Sequence, residues 1–154
     1  MIINDELLKP VIEESRSNNR RRKNYNFHKV LEDPLQRMLN VLQPDSYVQP
    51  HRHKNPDKRE AFIILKGRLL VIIFNDEGGI LDSAVLDNAT GAYGYDIDAG
   101  IFHSIIALEP DTVVYEVKDG PYFPLDDKNF ASWAPAEGDE NALSYNEELK
   151  TKLL

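Results

Sequence analysis

The chain has 154 residues, no cysteine and a formal net charge of −8, with 42% hydrophobic and 29% charged residues. That size and balance fit one globular domain with its own core, and the lack of cysteine excludes disulfides and thiolate metal sites. The negative charge argues against general binding to nucleic acid or an anionic membrane.

No run approaches the roughly 18 consecutive apolar residues of a membrane span. The opening MIINDELLK lacks a basic region and a long apolar stretch, so a cytoplasmic protein without a secretory signal is the expectation. Residues 4 to 17 predict a helix with Asn4 as N-cap, Asp5 and Glu6 in the positive first turn, and an apolar stripe of Leu7, Leu8, Val11 and Ile12. Pro10 marks a kink or the true start. The basic cluster Arg20 to Lys23 is either a solvated loop or an anion-binding patch.

From Arg22 the residues alternate. Arg22, Asn24, Asn26 and His28 share one face of a strand, and Tyr25 and Phe27 share the other. A wholly polar strand face meets solvent or lines a polar cavity, and His28 with two Asn points to the cavity. LQRMLNVL, from Leu35 to Leu42, reads as a further strand. By parity Tyr47 and Gln49 point the same way as His51 and His53. Buried strands are then predicted at Phe62–Leu65 and Arg68–Phe74, with strands at Ile80–Leu86, Ala92–Ile97, Ile101–Leu108 and Thr112–Val117, separated by turns such as Asn75 to Gly79. Short strands at this spacing predict a sandwich or barrel. The tail holds Tyr122, Phe123, Phe130 and Trp133 among Pro121, Pro124 and Pro135, and is expected to lie on the body or on a partner. Asp139 to Leu154 is helix-prone but expected to be partly loose.

The chemistry concentrates in PHRHKNPDKREAFIILKG, Pro50 to Gly67. Residues i and i+2 of a strand face one way, so His51 and His53 can aim two imidazoles at one point. KNPDK is a turn by composition, and a hairpin-like return sets Glu60 beside them. Two neutral imidazoles and a carboxylate on one face form a divalent-metal site. An HxH pair alone is a weak signal. Glu60 at a strand start, Gly67 after it and the later Gly100-x-x-His103 strengthen it.

These motifs resemble those of the cupin superfamily: His51-x-His53, Glu60 and Gly67 match the core of its first motif, and Gly100-x-x-His103 the core of its second. The His53–Glu60 loop is longer than the family's, Asp45 and Ala92 stand where the motifs open with glycine, Asp98 replaces a proline and Ala107 an asparagine. RRRKNYNFH, LQRMLNVLQPDSYVQPHRH, VVYEVKDGPY and KNFASWAPAEGD further resemble the WbuC-type cupin-fold metalloproteins, from about Arg20 to Asp139. Those are small bacterial proteins whose genes often lie near surface-polysaccharide genes. The resemblance implies a mainly β, single cupin jelly-roll barrel over 23–120, preceded by a helix and basic loop (1–22) and followed by a tail (121–154). It implies one divalent ion (zinc, iron, nickel or manganese) on His51, His53, Glu60 and His103, and admits a homodimer.

Four readings of function follow. The first is a metal-dependent isomerase, epimerase or lyase acting on a sugar or nucleotide sugar, with His28, Glu116 and Tyr122 as acid–base candidates and Arg22, Asn24, Asn26, Tyr47 and Gln49 holding a sugar-like or anionic small molecule. Glu116 could equally form a surface ion pair. The second is a metal-dependent binding module. The third is an Fe(II) dioxygenase, and the fourth a metal-free sugar-nucleotide epimerase. A general acid or base lining the cavity would favour catalysis over binding alone.

Overall fold

The computed structural model describes residues 1–123 and 128–154. Helix α1 (Asp5–Ser17) precedes β1 (Arg22–Asn26), β2 (Leu35–Leu42), β3 (His51–Arg52), β4 (Glu60–Lys66), β5 (Leu69–Phe74), β6 (Ile80–Leu86), β7 (Gly94–Ile97), β8 (Phe102–Ala107), β9 (Thr112–Asp119), β10 (Asn129–Phe130) and α2 (Ala142–Leu153). The strands form two five-stranded antiparallel sheets, in the orders β1-β2-β9-β4-β7 and β10-β3-β8-β5-β6. This is the jelly-roll barrel expected from the sequence. Among the described residues no helix is long and apolar enough to cross a membrane.

The period-two side-chain alternation of the strands divides the molecule into three apolar layers. Between the sheets, one set of side chains fills the closed end of the barrel: Phe62, Ile64, Leu69, Val71, Ile105 and Val114 pack there. The opposite set on β2 and β9, Leu39, Val41 and Val113, faces outward and is covered by Leu8, Val11 and Ile12 of α1. On the other sheet the outward set is Leu70, Ile72, Phe102 and Ile106, covered by Ala131, Trp133 and Leu149 of the C-terminal segment.

Helix α1 starts where its cap predicts: Asn4 Oδ1 accepts from Leu7 N–H at 3.2 Å. Pro10 neither starts nor stops it; the helix runs through to Ser17 because its buried stripe holds it on the sheet. Its end is pinned by Asp111, which accepts from Arg16 Nε at 2.9 Å and from Gln43 Nε2 at 3.0 Å.

The C-terminal region departs from expectation. Residues Asp139 to Leu154 are not loose: Ala142–Leu153 is helical, and Asn146 Nδ2 donates to Ser46 O at 3.1 Å. The reason lies elsewhere in the chain, since the outward side chains of β5 and β8 require a cover that α2 and Trp133 supply. Regular structure also continues past Pro121, where β10 adds an edge strand beside β3. Of the tail aromatics, Trp133 packs on Phe74 and Phe102 with ring centroids 5.1 and 5.8 Å away, while Phe123 and Phe130 stay exposed. Pro124 lies outside the described residues.

Gly67 has φ +73°, and a Cβ there would sit 2.5 Å from Thr112 Oγ1 and 3.0 Å from Thr112 Cα. Gly91 has a similar φ, +82°, with open space around it. Gly67→Ala is therefore expected to cost about 2 kcal/mol or more, combining left-handed strain with overpacking, and Gly91→Ala about 1 kcal/mol from strain alone. Urea unfolding midpoints check the order. Leu149→Ala, which opens a cavity over β5, is expected to lower stability by about 2–4 kcal/mol in the same assay.

Candidate functional site

At the open end of the barrel the inward-facing residues become polar. His51 on β3 pairs in register with His103 on β8, which brings two imidazoles from different sheet strands side by side, ring centroids 4.6 Å apart. His53 follows β3 by one residue, and its carbonyl accepts from Gly100 N–H at 3.1 Å and Lys58 N–H at 3.4 Å. These bonds fold the long loop back, so that Glu60, the first residue of β4, arrives beneath the histidines. Glu60 Oε2 lies 3.0 Å from both His53 Nε2 and His103 Nε2. All four side chains are buried, and their ligand atoms lie within 4.8 Å of one another.

The tautomers argue for a cation. His51 Nδ1–H donates to Gln49 O and His103 Nδ1–H to Ile101 O, each at 2.9 Å. A neutral ring so fixed presents a lone pair at Nε2. In His103 that lone pair faces a carboxylate oxygen 3.0 Å away. Two arrangements relieve this contact: a protonated imidazole, or a metal ion among the lone pairs. Burial above all, then the nearby charges of Lys128 and His103, pushes the pKa of His51 well below its ordinary value, so this ring stays neutral and free to ligate. Burial opposes charge on Glu60, but its close contacts with the His103 and His53 rings outweigh it and hold the carboxyl well below the usual range. Donors around one ion at about 2.1 Å are at most about 4.2 Å apart, so a small contraction suffices. Three imidazoles and a carboxylate suit zinc, iron, nickel or manganese.

Next to this cluster lies a cavity of about 640 Å³. Glu116 on β9 lines it, accepts from Asn40 Nδ2 at 3.0 Å, and lies diagonally across the β4–β9 pairing from Glu60, since its register partner is Phe62. Burial, then the charge of Glu60, raises the pKa of Glu116 to about 8. The surface ion pair considered for Glu116 is thus replaced by a buried carboxyl. His28 also lines the cavity, with Nδ1 accepting from Arg37 N–H at 3.2 Å, and Tyr122 lines it with its ring 5.2 Å from Lys118 Nζ.

Arg22, Asn24, Asn26 and Gln49 line the cavity as their face of β1 and the approach to His51 predict. Tyr47 does not. Residues 46–50 are not a strand, so parity fails there; Tyr47 OH donates to Pro135 O at 2.6 Å and its ring packs on Tyr145. The basic cluster begins in a solvated loop and is ion-paired throughout, so it is not an open anion patch. Arg20 and Arg22 both bind Glu137, Arg21 binds Asp45 and Lys23 binds Glu14. Sequence reasoning passed over Asn40, Lys118 and Lys128. Asn40 was findable as the one polar residue within the apolar run MLNVL that ends β2, and Lys118 shares the parity of Glu116. No local pattern marks Lys128, which the C-terminal segment carries back over the barrel mouth.

Two antiparallel sheets closing over a buried three-histidine, one-glutamate cluster define a cupin-fold protein with a candidate metal site. Residues 3–86, more than half of the chain, match the family model described as Domain of unknown function (DUF6016), and the chain belongs to that family. No curated protein matches it. Among solved structures it is similar to the capsular polysaccharide assembling protein CapF from Staphylococcus aureus, at 21% identity and TM-score 0.59, over 73% of this chain and 30% of that one. It is similar to L-ribose isomerase from Cellulomonas parahominis with L-psicose, at 13% identity and TM-score 0.57, over 72% of this chain and 69% of that one. KdgF from Halomonas sp. shares 17% identity at TM-score 0.50, over 67% and 81% of the two chains. At these identities the likeness is one of fold, and the chain spans less than a third of the length of CapF.

Elemental analysis of protein purified without chelator or histidine tag is expected to find about one equivalent of a divalent metal. The double variant His51→Ala/His53→Ala is expected to hold essentially none, and a full equivalent retained by the folded variant would overturn the assignment.

Proposed function

We propose that this protein is a WbuC-type cupin that holds one divalent ion on His51, His53, Glu60 and His103 and acts on a sugar or nucleotide sugar in surface-polysaccharide metabolism. The observation that carries the reading is the place of Glu116, a buried carboxyl that lines the cavity on β9 diagonally across from Glu60 of the paired strand β4, which sets a protonatable group of the cavity wall beside the cluster. The fold likeness to a protein named for capsular polysaccharide assembly and to an L-ribose isomerase supports the sugar context.

The bound ion would supply Lewis-acid polarisation of a ligand oxygen. The chain's own residues supply the rest. Asn24 and Asn26 offer carboxamides, which donate to and accept from hydroxyl groups alike, while Gln49 on the cavity wall is held by Ala131 O and Glu137 N–H. Glu116, His28 and Tyr122 are the groups placed to give or take a proton at the cavity wall. Their presence there favours isomerase-, epimerase- or lyase-type chemistry over a binding module. Arg22 shapes the rim rather than capturing an anion, because its guanidinium is held by Glu137 and by Tyr47 O at 2.8 Å.

Proton abstraction beside a carbonyl exchanges that proton with solvent, so metal-loaded protein incubated with candidate sugars in D₂O is expected to deuterate or convert one of them, as followed by NMR. Chelation is expected to stop the exchange, and Glu116→Gln to slow it by about a hundredfold or more. Sugar binding without exchange would leave a binding module, and no sugar binding by metal-loaded protein would sink the proposal.

A further inference from the structure

Two groups in the cavity have unused bonding capacity. Asn40 is buried at 8% exposure; its Nδ2 is fixed on Glu116 Oε2 at 3.0 Å, while its Oδ1 has no hydrogen-bond partner. A buried carbonyl oxygen left without a donor is costly, so the site is built for a partner that arrives from outside. Because the amide end is locked, the free end can only accept. It selects an O–H or N–H of a ligand, next to Glu116 and so next to the cluster.

The second group is Lys128, just before β10, which lines the same cavity. Among the described residues no side chain or carbonyl forms a hydrogen bond or ion pair with it. Its ammonium is opposed by burial and by the like charges of Lys118 and Arg22, and supported by Glu60 and Glu116. The surrounding chemistry narrows the anion it would take. Arg20 and Arg22 are occupied by Glu137, and neither helix N-terminus lines the cavity, so two provisions usual for a dianionic phosphate are lacking. The adjacent carboxyl groups of Glu60 and Glu116 likewise disfavour a second negative charge on the ligand.

We propose that the cavity selects a sugar acid, a polyhydroxylated monocarboxylate, with Lys128 holding its carboxylate and Asn40 Oδ1 accepting from one of its hydroxyls. The carboxamides of Asn24 and Asn26 line the same cavity for the remaining hydroxyls, and the exposed ring of Phe130 offers an apolar face for the sugar's C–H groups. A cavity of about 640 Å³ has room for a monosaccharide acid, or for one carried at the end of a longer chain. This inference rests on the sugar reading above and sharpens it to one substrate class with two recognition residues.

Calorimetric titration of the metal-loaded protein with D-glucuronate, D-gluconate, D-glucose and a glucose phosphate tests it. At least one acid is expected to bind about tenfold tighter than glucose and tighter than the phosphate. Lys128→Met is expected to collapse the acid-over-neutral ratio towards one, Lys128→Arg to keep most of it, and Asn40→Leu to weaken acid and neutral ligands together by about five- to tenfold. Metal content and circular dichroism verify that each variant folds, and the wild-type panel decides even where one does not. Sugars bound without preference for the acid, a preference for the phosphate, or an acid preference that survives Lys128→Met would each overturn this inference alone. Failure of every sugar to bind would overturn the sugar reading with it.

Discussion

The buried carboxylate of Glu60 is the constraint around which the molecule is arranged. An isolated carboxylate in a protein interior is unfavourable by many kcal/mol unless it is paired and hydrogen-bonded. Here three imidazoles surround it, and two of them are oriented by their own backbone two residues upstream, at Gln49 and Ile101. The same Glu60 has Glu116 as its diagonal neighbour on the paired strand β9, on the cavity side. One charge thus couples the floor of the barrel, the candidate metal site and the wall of the ligand cavity.

The strands can hold this arrangement because the barrel interior is partitioned along its axis. Towards the closed end the inward positions are aliphatic and aromatic and pack densely, which makes β4, β8 and β9 rigid platforms. One or two residue pairs further along the same strands, the inward positions are Glu60, His103, Glu116 and Lys118. Phe62, two residues from Glu60 on the same face of β4, marks the boundary, with its ring 6.4 Å from that of His103. Polar groups are therefore held on strands whose apolar halves fix their position, as a site of defined geometry requires.

The two outer layers serve the site differently. Helix α1 seals the outside of the β1–β2–β9 sheet and leaves the polar face of β1 turned inward. The C-terminal segment seals the other sheet through Trp133 and α2, and on its way there brings Phe130, Lys128 and Glu137 to the cavity. Glu137 holds Arg20 and Arg22 together at the rim, so the basic cluster acts as an internal clasp between the two ends of the chain.

Several features were determined by sequence alone because they depend only on near neighbours. The turn residues, the period-two alternation of β1 and β2, the Asn4 cap and the HxH spacing are local properties, and they were enough to predict a sandwich or barrel and to place Asn24, Asn26, His28 and Gln49 towards a cavity, while the resemblance of the two histidine motifs to those of cupins narrowed this to a jelly roll and to the four residues that cluster. Only the tertiary structure decided what depends on partners distant in the chain. Tyr47 turned away because the segment before His51 is not a strand and Pro135 supplies a carbonyl. Glu116 became a buried carboxyl because β9 lies beside β4. The C-terminal helix became ordered because β5 and β8 present an apolar face that their own sequence does not cover. Lys128 and the free carbonyl of Asn40 acquired meaning for the same reason: the environment of a side chain is set by which strands pair and which segment returns across the barrel mouth, and no local pattern encodes that.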